Sequence, residues 1–423
     1  MIKEAHLAKV SLEKYKKYIS CGLYFEIKEL ARPLRGKRVI HINSVAQGGG
    51  VAEILRSLVP LMRGVGLRVK WLVIEPKKEK FFYITKKIHD SLQSGKESLT
   101  KQEKELYIKE SKGFAAQIRT AKTDFWVVHD NQPLAIPSFN PEMRPVISRI
   151  HIDLSEPNKK VLDFLLPYFS PCKNIIFSLK DFVNFYFPPK KIVIFPPAID
   201  PLASKNQPLR TFTARAILME QGINPTRPLV AQVSRFDRWK DPIGVIKAYY
   251  LARNKIPDLQ LALLGFFQAK DDPVARGVYL KVKKYAKADP RIFLFAHPEQ
   301  IGALSIDIFV NAVQVASRVI LQKSIKEGFG LTVTEAMWKG KPVIGGNVGG
   351  IKLQIEDGKN GFLVNSPREA ARRIVELIKN PQLSKKLGKA AKERVKEKFL
   401  IPRLLRDYLK LFNNLQINYK YTN

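Results

Sequence analysis

Two successive series of strand and helix patterns constrain the fold of this chain more than any other feature. The first series opens at residues 37–43 (KRVIHIN), which have the composition of a buried strand. Three glycines follow, and apolar residues then recur at helical spacing over residues 51–62. Strand, glycine loop and helix in this order open a doubly wound α/β domain. A second series starts with the strand pattern at residues 229–234, so the sequence predicts two such domains.

A proline-rich turn and a polar stretch separate the two series. The turn is PPAIDP at residues 196–201, and the polar stretch at residues 204–228 is typical of a linker. We therefore predict an α/β fold of two Rossmann-like doubly wound domains, residues 1–205 and 206–423, which face each other across a cleft. The last helix pattern, residues 401–412, is a candidate to cross back to the first domain.

The composition is that of a globular chain with anionic partners. The 423 residues, 45% of them hydrophobic, suffice for two cores. With 73 Lys and Arg against 38 Asp and Glu, the net charge of +35 favours nucleic acid, an anionic membrane surface or a diphosphate as partner. The basic residues are spread along the chain without a nucleic-acid-binding motif, and no apolar run approaches the ~18 residues of a membrane span. We therefore expect neither a nucleic-acid nor a membrane partner.

The cysteines and the N-terminus indicate the compartment. Cys21 and Cys172 cannot form a disulfide framework and show no metal-binding spacing. The first 20 residues lack the apolar segment of a signal peptide. We therefore expect the reducing environment of the cytoplasm.

Residues 324–350 (SIKEGFGLTVTEAMWKGKPVIGGNVGG) contain the densest cluster of candidate site residues. One glycine turn, Gly328-Phe329-Gly330, precedes a helix pattern, and another, Gly349-Gly350, follows a short buried-strand pattern. Glycine turns beside a helix start supply backbone N–H groups and a positive dipole end, which suit a phosphate or diphosphate. Glu335, just inside the helix, is better suited to accept hydrogen bonds from sugar hydroxyls such as those of a ribose.

The spacing of the two glutamates in this stretch, Glu327 and Glu335, carries little weight by itself. The same spacing occurs at Glu97 and Glu105, in a lysine-rich stretch that indicates only a solvated helix. The specific signal is the combination of EGFGLTVTEAM with KPVIGG a few residues later.

Two cations follow the first strand of the second series. Arg235 and Lys240 lie in SRFDRWKD, directly beyond the strand end, where doubly wound sheets bind ligands. A pair of cations is often only a solvated face, but this position in the domain that carries Glu327 favours a site. Two cations there would hold a nucleoside diphosphate and stabilise it as it leaves with the bond electrons.

Glycines follow the first strand of the first series. The loop that contains Gly48, Gly49 and Gly50 lacks the G-x-G-x-x-G spacing, so it does not indicate a nicotinamide site. The three glycines either make a tight turn or let the backbone approach a ligand closely.

Polar residues also follow two later strands of this series. His129 and Asp130 come after the strand pattern at residues 124–128, and His151 and Asp153 come after the next one. A lone histidine at a strand end is more often structural. Two at successive strand ends favour a ligand site at this edge of the sheet.

Six segments resemble the retaining glycosyltransferases of family 4, which have the GT-B fold. The segments are VAQGGGVAEIL, VVHDNQP, RIHIDLSEPN, PPAIDPL, QVSRFDRWKD and SIKEGFGLTVTEAMWKGKPVIGGNVGGIKLQIEDGKNGFLV. Within that family they look most like its trehalose-forming members, and the resemblance runs from about residue 37 to residue 400. It implies a GT-B arrangement with an acceptor-side first domain and a second domain that binds a nucleotide-sugar donor.

The resemblance also implies roles for the candidate residues. Arg235 and Lys240 would bind the donor diphosphate, and Glu327 would hold hydroxyls of the transferred glucose, so these three form the implied catalytic set. Glu335 would bind the ribose. The implied donor-binding set is Gly49, Gly50, Arg235, Lys240, Glu327, Gly328, Phe329, Gly330, Leu331, Thr332 and Glu335. The implied acceptor-binding set is Gly48, Gly49, His129, Asp130, His151 and Asp153.

The implied reaction moves glucose from a nucleoside diphosphate-glucose to glucose, reversibly, and gives trehalose with retained anomeric configuration. The family has no established protein nucleophile, and the leaving phosphate is thought to help deprotonate the acceptor. We expect no protein-bound cofactor or metal, although free Mg²⁺ can assist by pairing with the diphosphate. The sequence leaves open whether the donor is UDP-glucose, ADP-glucose or GDP-glucose, and a homodimer is one option for the assembly.

Two segments depart from the family pattern, and other functions stay open. The chain has HDNQP where the family more usually has HDPQP, and Trp239-Lys240-Asp241 where it often has Trp-Lys-Gly. One alternative is another family 4 glycosyltransferase that uses a phosphorylated sugar or a lipid as acceptor. A phosphorylase or epimerase on the same fold, and a non-catalytic protein that binds nucleotide sugars or a membrane surface, are the others.

Overall fold

The computed structural model describes residues 1–118, 123–267 and 274–420, with side chains described up to residue 417. The chain divides into two compact units. One consists of residues 1–198 and 401–420, and the other of residues 199–267 and 274–400. Each unit has its own sheet, so the prediction of two separate α/β domains is confirmed.

The first unit is built on a mostly parallel sheet. Its strands are β1 (Ile2–Glu4), β2 (Arg38–Asn43), β3 (Arg68–Ile74), β4 (Phe125–His129), β5 (Val146–Arg149), β6 (Cys172–Phe177) and β7 (Ile192–Ile194). Within the described residues the sheet has seven strands in the order β1-β3-β2-β4-β5-β6-β7, and only β1 runs antiparallel to its neighbour. The chain adds β3 on one side of β2 and then β4 on the other, so the winding reverses between β2 and β4. Ligands bind beyond the carboxyl ends of the strands at such a reversal.

Five α-helices precede residue 198 in the described part of the first unit. They are α1 (Cys21–Ala31), α2 (Gly50–Gly64), α3 (Lys80–Leu92), α4 (Lys101–Ala115) and α5 (Lys159–Phe169). Helix α2 buries Ile54, Leu55 and Leu58 against the sheet, as the helical spacing of the apolar residues predicts. Helix α4 begins with a capping box, in which Thr100 and Glu103 satisfy each other's backbone N–H groups.

The second unit has a sheet whose neighbouring strands all run parallel. Its strands are β8 (Leu229–Val233), β9 (Gln260–Leu264), β10 (Ile292–Phe295), β11 (Val319–Gln322), β12 (Val343–Gly346) and β13 (Phe362–Val364). Within the described residues there are six strands in the order β10-β9-β8-β11-β12-β13. The winding reverses between β8 and β11, so the loops that follow these two strands lie side by side at the ligand-binding edge.

Helices cover both faces of this second sheet. They are α6 (Thr211–Glu220), α7 (Pro242–Arg253), α8 (Ala275–Tyr285), α9 (Ile306–Ala316), α10 (Leu331–Trp338), α11 (Gly349–Gln354), α12 (Pro367–Lys379) and α13 (Pro381–Lys398). Strands β8 and β9 are buried along their whole length, which explains why they are near-continuous apolar runs in the sequence.

The last helix, α14 (Ile401–Lys420), packs in the first unit. Its Phe412 ring stacks on Phe125 at a centroid distance of 4.5 Å, and Asn413 donates to the carbonyl of Leu30 at 2.8 Å. The predicted domain limits, 1–205 and 206–423, therefore differ from the structural division at the C-terminus, where the helix crosses back to bury its apolar face. None of the helices in the described ranges combines the length and apolar composition that a bilayer crossing requires.

The predicted limits also differ near residue 200. The structure assigns residues 199–205 to the second unit, because this segment is bound by side chains of that unit. Asn311 donates to the carbonyls of Ser204 and Gln207 at 3.3 and 2.9 Å. The boundary between the two units lies between residues 198 and 199, inside the proline-rich turn, and the rest of the segment interpreted as a linker belongs to the second unit.

Candidate active site

The loops after β8 and β11 bring Lys240 and Glu327 into contact. Nζ of Lys240 lies 2.6 Å from Oε1 of Glu327, and the two side chains are 19% and 6% exposed. The other carboxylate oxygen accepts a hydrogen bond from the Ser324 hydroxyl at 2.9 Å, and Gln322 Nε2 lies 3.5 Å from it. The structure therefore joins a cation and a carboxylate that the sequence places 87 residues apart.

Backbone contacts hold the Lys240 loop against the Glu327 loop. The buried Gln232 side chain, on β8, donates to the carbonyl of Lys240 at 2.8 Å. The N–H of Ile325 donates to the carbonyl of Trp239 at 2.8 Å. Arg235 lies in the same loop and is half-buried, and its carbonyl accepts from the N–H of Asp237 at 2.9 Å. The two predicted cations thus lie on one loop, directly after the carboxyl end of β8.

Asp241, in the segment that departs from the Trp-Lys-Gly pattern of the family it resembles, has a backbone conformation that favours glycine. Its φ of 48° and ψ of 51° are left-handed, a region that favours glycine and tolerates Asp better than most residues. Its side chain caps α7 by accepting from the N–H of Gly244 at 3.0 Å, and it forms an ion pair with the buried Lys323. These two contacts offset the unfavourable backbone conformation.

The two predicted glycine turns pack directly on each other. A Cβ at Gly350 would lie 2.3 Å from the Cα of Phe329, and the N–H of Gly350 donates to the carbonyl of Glu327 at 3.0 Å. Gly330 has a φ of 87° and forms the N-cap of α10. Side chains are thus excluded at Gly350 by lack of space and disfavoured at Gly330 by conformation, and the loop stays close to the start of a helix.

The remaining predicted residues of this loop contribute in different ways. Gly328 precedes Phe329, whose ring is buried against Phe399 at a centroid distance of 5.5 Å. Leu331 is the first residue of α10, and Thr332 donates from its hydroxyl to Gln322 Oε1 at 3.3 Å. Backbone N–H groups, not the Phe329 side chain, are therefore what this turn can offer a phosphate.

Glu335, the predicted ribose ligand, is fully buried and forms an ion pair with Lys205. The two groups are 2.6 Å apart, and the Lys205 side chain is 13% exposed. Sequence reasoning missed Lys205, because it lies in the polar stretch interpreted as a linker. The signal in the sequence is weak: Lys205 and Asp200 are the two charged residues of the stretch PPAIDPLASKNQP.

In the first unit, three histidines form a continuous hydrogen-bonded chain. His41 Nδ1 lies 3.0 Å from His129 Nε2, and His129 Nδ1 lies 3.0 Å from His151 Nε2. A neutral imidazole carries one N–H proton, and each of the two ring-to-ring hydrogen bonds needs one proton between its Nδ1 and its Nε2. The protons of the three rings are therefore either all on Nδ1 or all on Nε2, so a change of tautomer in one ring requires the same change in the other two. The structure confirms that the two predicted histidines lie together, and it adds His41 from the middle of β2.

Burial keeps the chain of imidazoles uncharged. It lowers the pKa of His41 to about 3. Burial also lowers the pKa of His129 well below its usual value, with smaller effects from His41, His151 and the cation of Arg149. The pKa of His151 is lowered by burial and by Arg149. At neutral pH these rings can donate or accept hydrogen bonds without carrying charge.

Two predicted carboxylates of the first unit have structural contacts. Asp130 has a φ of 59°, and its Oδ1 accepts from the N–H of His151 at 2.7 Å. It thereby ties the end of β4 to the second residue after β5. Asp153 is buried, and its Oδ1 accepts from the N–H of Ser155 at 2.9 Å, which forms a tight turn. Asp130 is thus in direct contact with His151, whereas Asp153 shapes the following loop.

The glycine loop after β2 leads into α2. Gly48 has a φ of 81°, which favours glycine, whereas Gly49 is extended and is the N-cap of α2, and Gly50 is its first residue. A Cβ at Gly49 would meet only Val45 Cγ2, at an ordinary 3.9 Å. Packing within the protein therefore does not require glycine at position 49, which leaves close approach of a ligand as the functional interpretation.

Within the described ranges, no group of three or more His, Cys, Asp or Glu residues could hold a metal ion. The expectation of no protein-bound metal stays a prediction, and so do the roles of the individual site residues.

Comparisons with known proteins place this geometry in a family. The family model for the N-terminal domain of trehalose synthase matches residues 41–184, and the model for group 1 glycosyl transferases matches residues 215–394. The trehalose synthase of Pyrococcus horikoshii is 43% identical over 416 residues, which cover 98% of this chain and 99% of that protein. The trehalose synthase of Rubrobacter xylanophilus is 40% identical over 424 residues and covers the same shares.

The solved structure of a sucrose-phosphate synthase from Thermosynechococcus elongatus matches with a TM-score of 0.69. The match covers 90% of this chain and 100% of that one at 18% identity, a level that establishes the fold alone. The fold is that of the GT-B glycosyltransferases. Because the sequence matches extend over nearly the whole chain, this protein belongs to the trehalose synthase family of group 1 glycosyltransferases.

Proposed function

We propose that this glycosyltransferase moves glucose from a nucleoside diphosphate-glucose to free glucose, and forms α,α-trehalose with retained anomeric configuration. The reaction runs in reverse when trehalose and nucleoside diphosphate are supplied. The observation that carries the proposal is the 43% identity over 98% of the chain to a protein named trehalose synthase. The substrates are accordingly a nucleotide sugar and a sugar.

The second unit supplies the donor site in this proposal. Lys240 and Arg235 contact the diphosphate, and the N–H groups of the turn at Gly328 and Gly330 point toward it from the start of α10. Glu327 accepts hydrogen bonds from hydroxyls of the transferred glucose. The 2.6 Å contact between Lys240 and Glu327 supports this assignment, because one site then offers a cation to phosphate oxygens and a carboxylate to hydroxyls.

Charge develops on the diphosphate as the reaction proceeds. The bond between the anomeric carbon and the β-phosphate oxygen breaks, and its electron pair leaves with the nucleoside diphosphate. The acceptor hydroxyl forms the new bond to the same carbon and passes its proton to the leaving phosphate. A cation placed at that phosphate stabilises the transition state more than the ground state, so it acts on the rate.

The first unit supplies the acceptor site. His129, the last residue of β4, lies together with Asp130 and with His151, which lies beyond the end of β5. The glycine loop at Gly48 and Gly49 follows β2. Both ring nitrogens of His129 are engaged by His41 and His151, so His151 is the imidazole that contacts the sugar in this proposal, and His129 orients it. A neutral imidazole suits this role, because it exchanges hydrogen bonds with sugar hydroxyls without a charge that must be desolvated.

The proposal includes conditions and partners as well. Cys21 and Cys172 are free thiols, which supports a reducing, cytoplasmic compartment.

Free Mg²⁺ assists by pairing with the diphosphate, so dialysis against a chelator followed by assay in Mg²⁺-free buffer lowers activity without abolishing it. A homodimer is the assembly we propose, and light scattering of the purified protein tests it.

The decisive experiment identifies the product. The protein is incubated with UDP-, ADP- or GDP-glucose as donor, each combined with glucose, fructose 6-phosphate or a lipid as acceptor. A separate reaction contains trehalose and inorganic phosphate without a donor. We expect α,α-trehalose from glucose and one preferred donor, identified by NMR. Transfer to fructose 6-phosphate or lipid with glucose ignored would exclude the acceptor, and consumption of trehalose only with phosphate would identify a phosphorylase.

A pair of variants separates the site from the fold. Glu327→Gln removes the negative charge of the carboxylate at the site. Glu397→Gln removes a negative charge from an exposed position on α13 in the same unit. We expect the first to lose most transfer activity and the second to retain it. Equal activity of the two variants would remove Glu327 from the site.

A further inference from the structure

The ion pair between Lys205 and Glu335 is the most deeply buried one that lies at the proposed donor site. Glu335 lies on α10, one turn beyond the glycine turn at Gly330, and its side chain is 0% exposed. Lys205 Nζ lies 2.6 Å from Glu335 Oε1, and its side chain keeps 13% of its exposure. The lysine is the member of the pair nearer to solvent, so a ligand that reaches the carboxylate shares it with the ammonium group.

The short turn that carries Lys205 is fixed from several sides. Asn206, 2% exposed, accepts a hydrogen bond from Trp338 Nε1 at its carbonyl and one from Lys339 Nζ at its side chain, both at 3.2 Å. Asn311, on α9, donates to the carbonyls on either side of Lys205 and Asn206. Both Trp338 and Lys339 belong to the end of α10. The turn is therefore attached to the same helix that carries Glu335.

A buried carboxylate at this position needs its cation. An isolated ionised carboxylate is costly to bury, and it takes up a proton or draws in water when its partner is removed. A carboxylate has about four lone-pair sites, so a lysine on Oε1 leaves capacity to accept from hydroxyl donors. Hydrogen bonds to an ionised acceptor are about twice as strong as those between neutral groups. The lysine therefore maintains the acceptor in its stronger form.

We propose that Lys205 is a positioning residue of the donor site, which holds the Glu335 carboxylate charged and in place for the ribose hydroxyls of the donor. The inference rests on the proposed function and on the ribose-binding role that the family resemblance implies for Glu335. Lys205 acts through Glu335, so its contribution is recognition of the ribose and not of the diphosphate or the base.

Discrimination between ribose and dideoxyribose tests this role. UDP, ADP and GDP are first titrated into the wild-type protein by calorimetry to find the preferred base. The affinity for that nucleoside diphosphate is then divided by the affinity for its 2′,3′-dideoxy form. We expect Lys205→Met to reduce this ratio about tenfold, the difference between a charge-assisted and a neutral hydrogen bond. General damage to the site would lower both affinities together and leave the ratio unchanged.

Three further variants complete the experiment. Lys205→Arg keeps the cation and should retain most of the ratio, and Lys385→Met removes a charge from an exposed position of the same unit and should leave the ratio unaltered. If Lys205→Met does not fold, Lys205→Gln replaces it, since it removes the charge and keeps a polar group that can donate a hydrogen bond.

Glu335→Ala separates this inference from the proposed function. If Glu335→Ala abolishes the discrimination while Lys205→Met retains it in full, or binds the nucleotide more tightly, Lys205 has no positioning role. If Glu335→Ala itself keeps the discrimination, Glu335 does not bind ribose, and the assignment of the donor site fails first.

Discussion

Lys240 Nζ and Glu327 Oε1, 2.6 Å apart, join the loop after β8 to the loop after β11. Both strands end at the point where the winding of the second sheet reverses. The contact therefore places opposite charges at the edge where doubly wound sheets bind ligands. Each group is the direct electrostatic partner of the other, so removal of one leaves the other without its counter-charge. The effects of the two substitutions on activity are therefore not additive.

Replacing Lys240 with Met should lower kcat more than it alters KM. The variant loses a charge-assisted contact to the leaving diphosphate, worth roughly 1.5–3 kcal/mol, which corresponds to about 10- to 100-fold in rate. Arg235→Ala should act in the same direction, because it lies on the same loop. Steady-state kinetics with the preferred donor measures both. Turnover close to wild type in the two variants would place the diphosphate elsewhere.

Asp241→Ala should destabilise the protein more than Asp241→Gly. Both variants lose the ion pair with Lys323 and the cap of α7, but only Ala keeps a Cβ in the left-handed conformation. Loss of an Asp cap costs about 1 kcal/mol with Ala and a few tenths with Gly, and the left-handed backbone adds about 1–2 kcal/mol for Ala. Urea unfolding of the two variants measures the difference. Equal midpoints would mean that the backbone conformation at Asp241 contributes nothing.

Gly350→Ala should disrupt the glycine turns. The new Cβ would lie 2.3 Å from the Cα of Phe329, and its three nearest atoms are all backbone atoms of Gly328 and Phe329, so no flexible side chain can yield. We expect a loss of about 1–3 kcal/mol in the free energy of unfolding and a marked fall in transfer activity.

Gly277→Ala is the matched control for that prediction. Gly277 lies in α8 of the same unit, and a Cβ there meets nothing within 4 Å. Ala should stabilise the helix by roughly 0.5–1 kcal/mol, with activity unaltered. If the two substitutions had the same effect on thermal unfolding, lack of space at Gly350 would not be the cause.

Most strands of both sheets can be predicted from the sequence, because buried parallel strands are apolar throughout. Strands β4 and β8 are examples, since all five residues of each are buried. Strand β1 (IKE) cannot be predicted this way, because it is short and polar and exists only through its pairing with β3. Its position depends on a sheet edge that forms elsewhere in the chain.

The residues of the candidate site likewise include some that the local sequence predicts and some that it does not. Lys240 and Glu327 follow strand patterns directly, so their meeting at one sheet edge can be anticipated. His41 lies inside an apolar strand and reads as a core residue, and its contact with His129 depends on the register between β2 and β4. Lys205 lies in a polar stretch, and only the packing of its turn on α9 and α10 shows its partner. Contacts between distant segments can thus be anticipated at strand ends, but not where they depend on strand register or on the packing of a polar turn.

The buried histidine chain should make the protein sensitive to acid. The folded protein holds His41 neutral down to a pKa of about 3, whereas the unfolded chain protonates it near 6.5. The unfolded state therefore binds more protons between these values, so stability is fully present above pH 6.5 and falls as the pH decreases toward 3. Each such histidine contributes a slope of about 1.4 kcal/mol per pH unit. His129 and His151, whose pKa values are lowered in the same direction, add to this slope.

Urea unfolding at pH 7, 6 and 5 should show a smaller pH dependence of stability for His41→Phe than for wild type. His6→Asn, which replaces an exposed histidine, should show the same pH dependence as wild type. If His41→Phe and wild type lose stability in parallel, burial of His41 is not the source of the acid sensitivity.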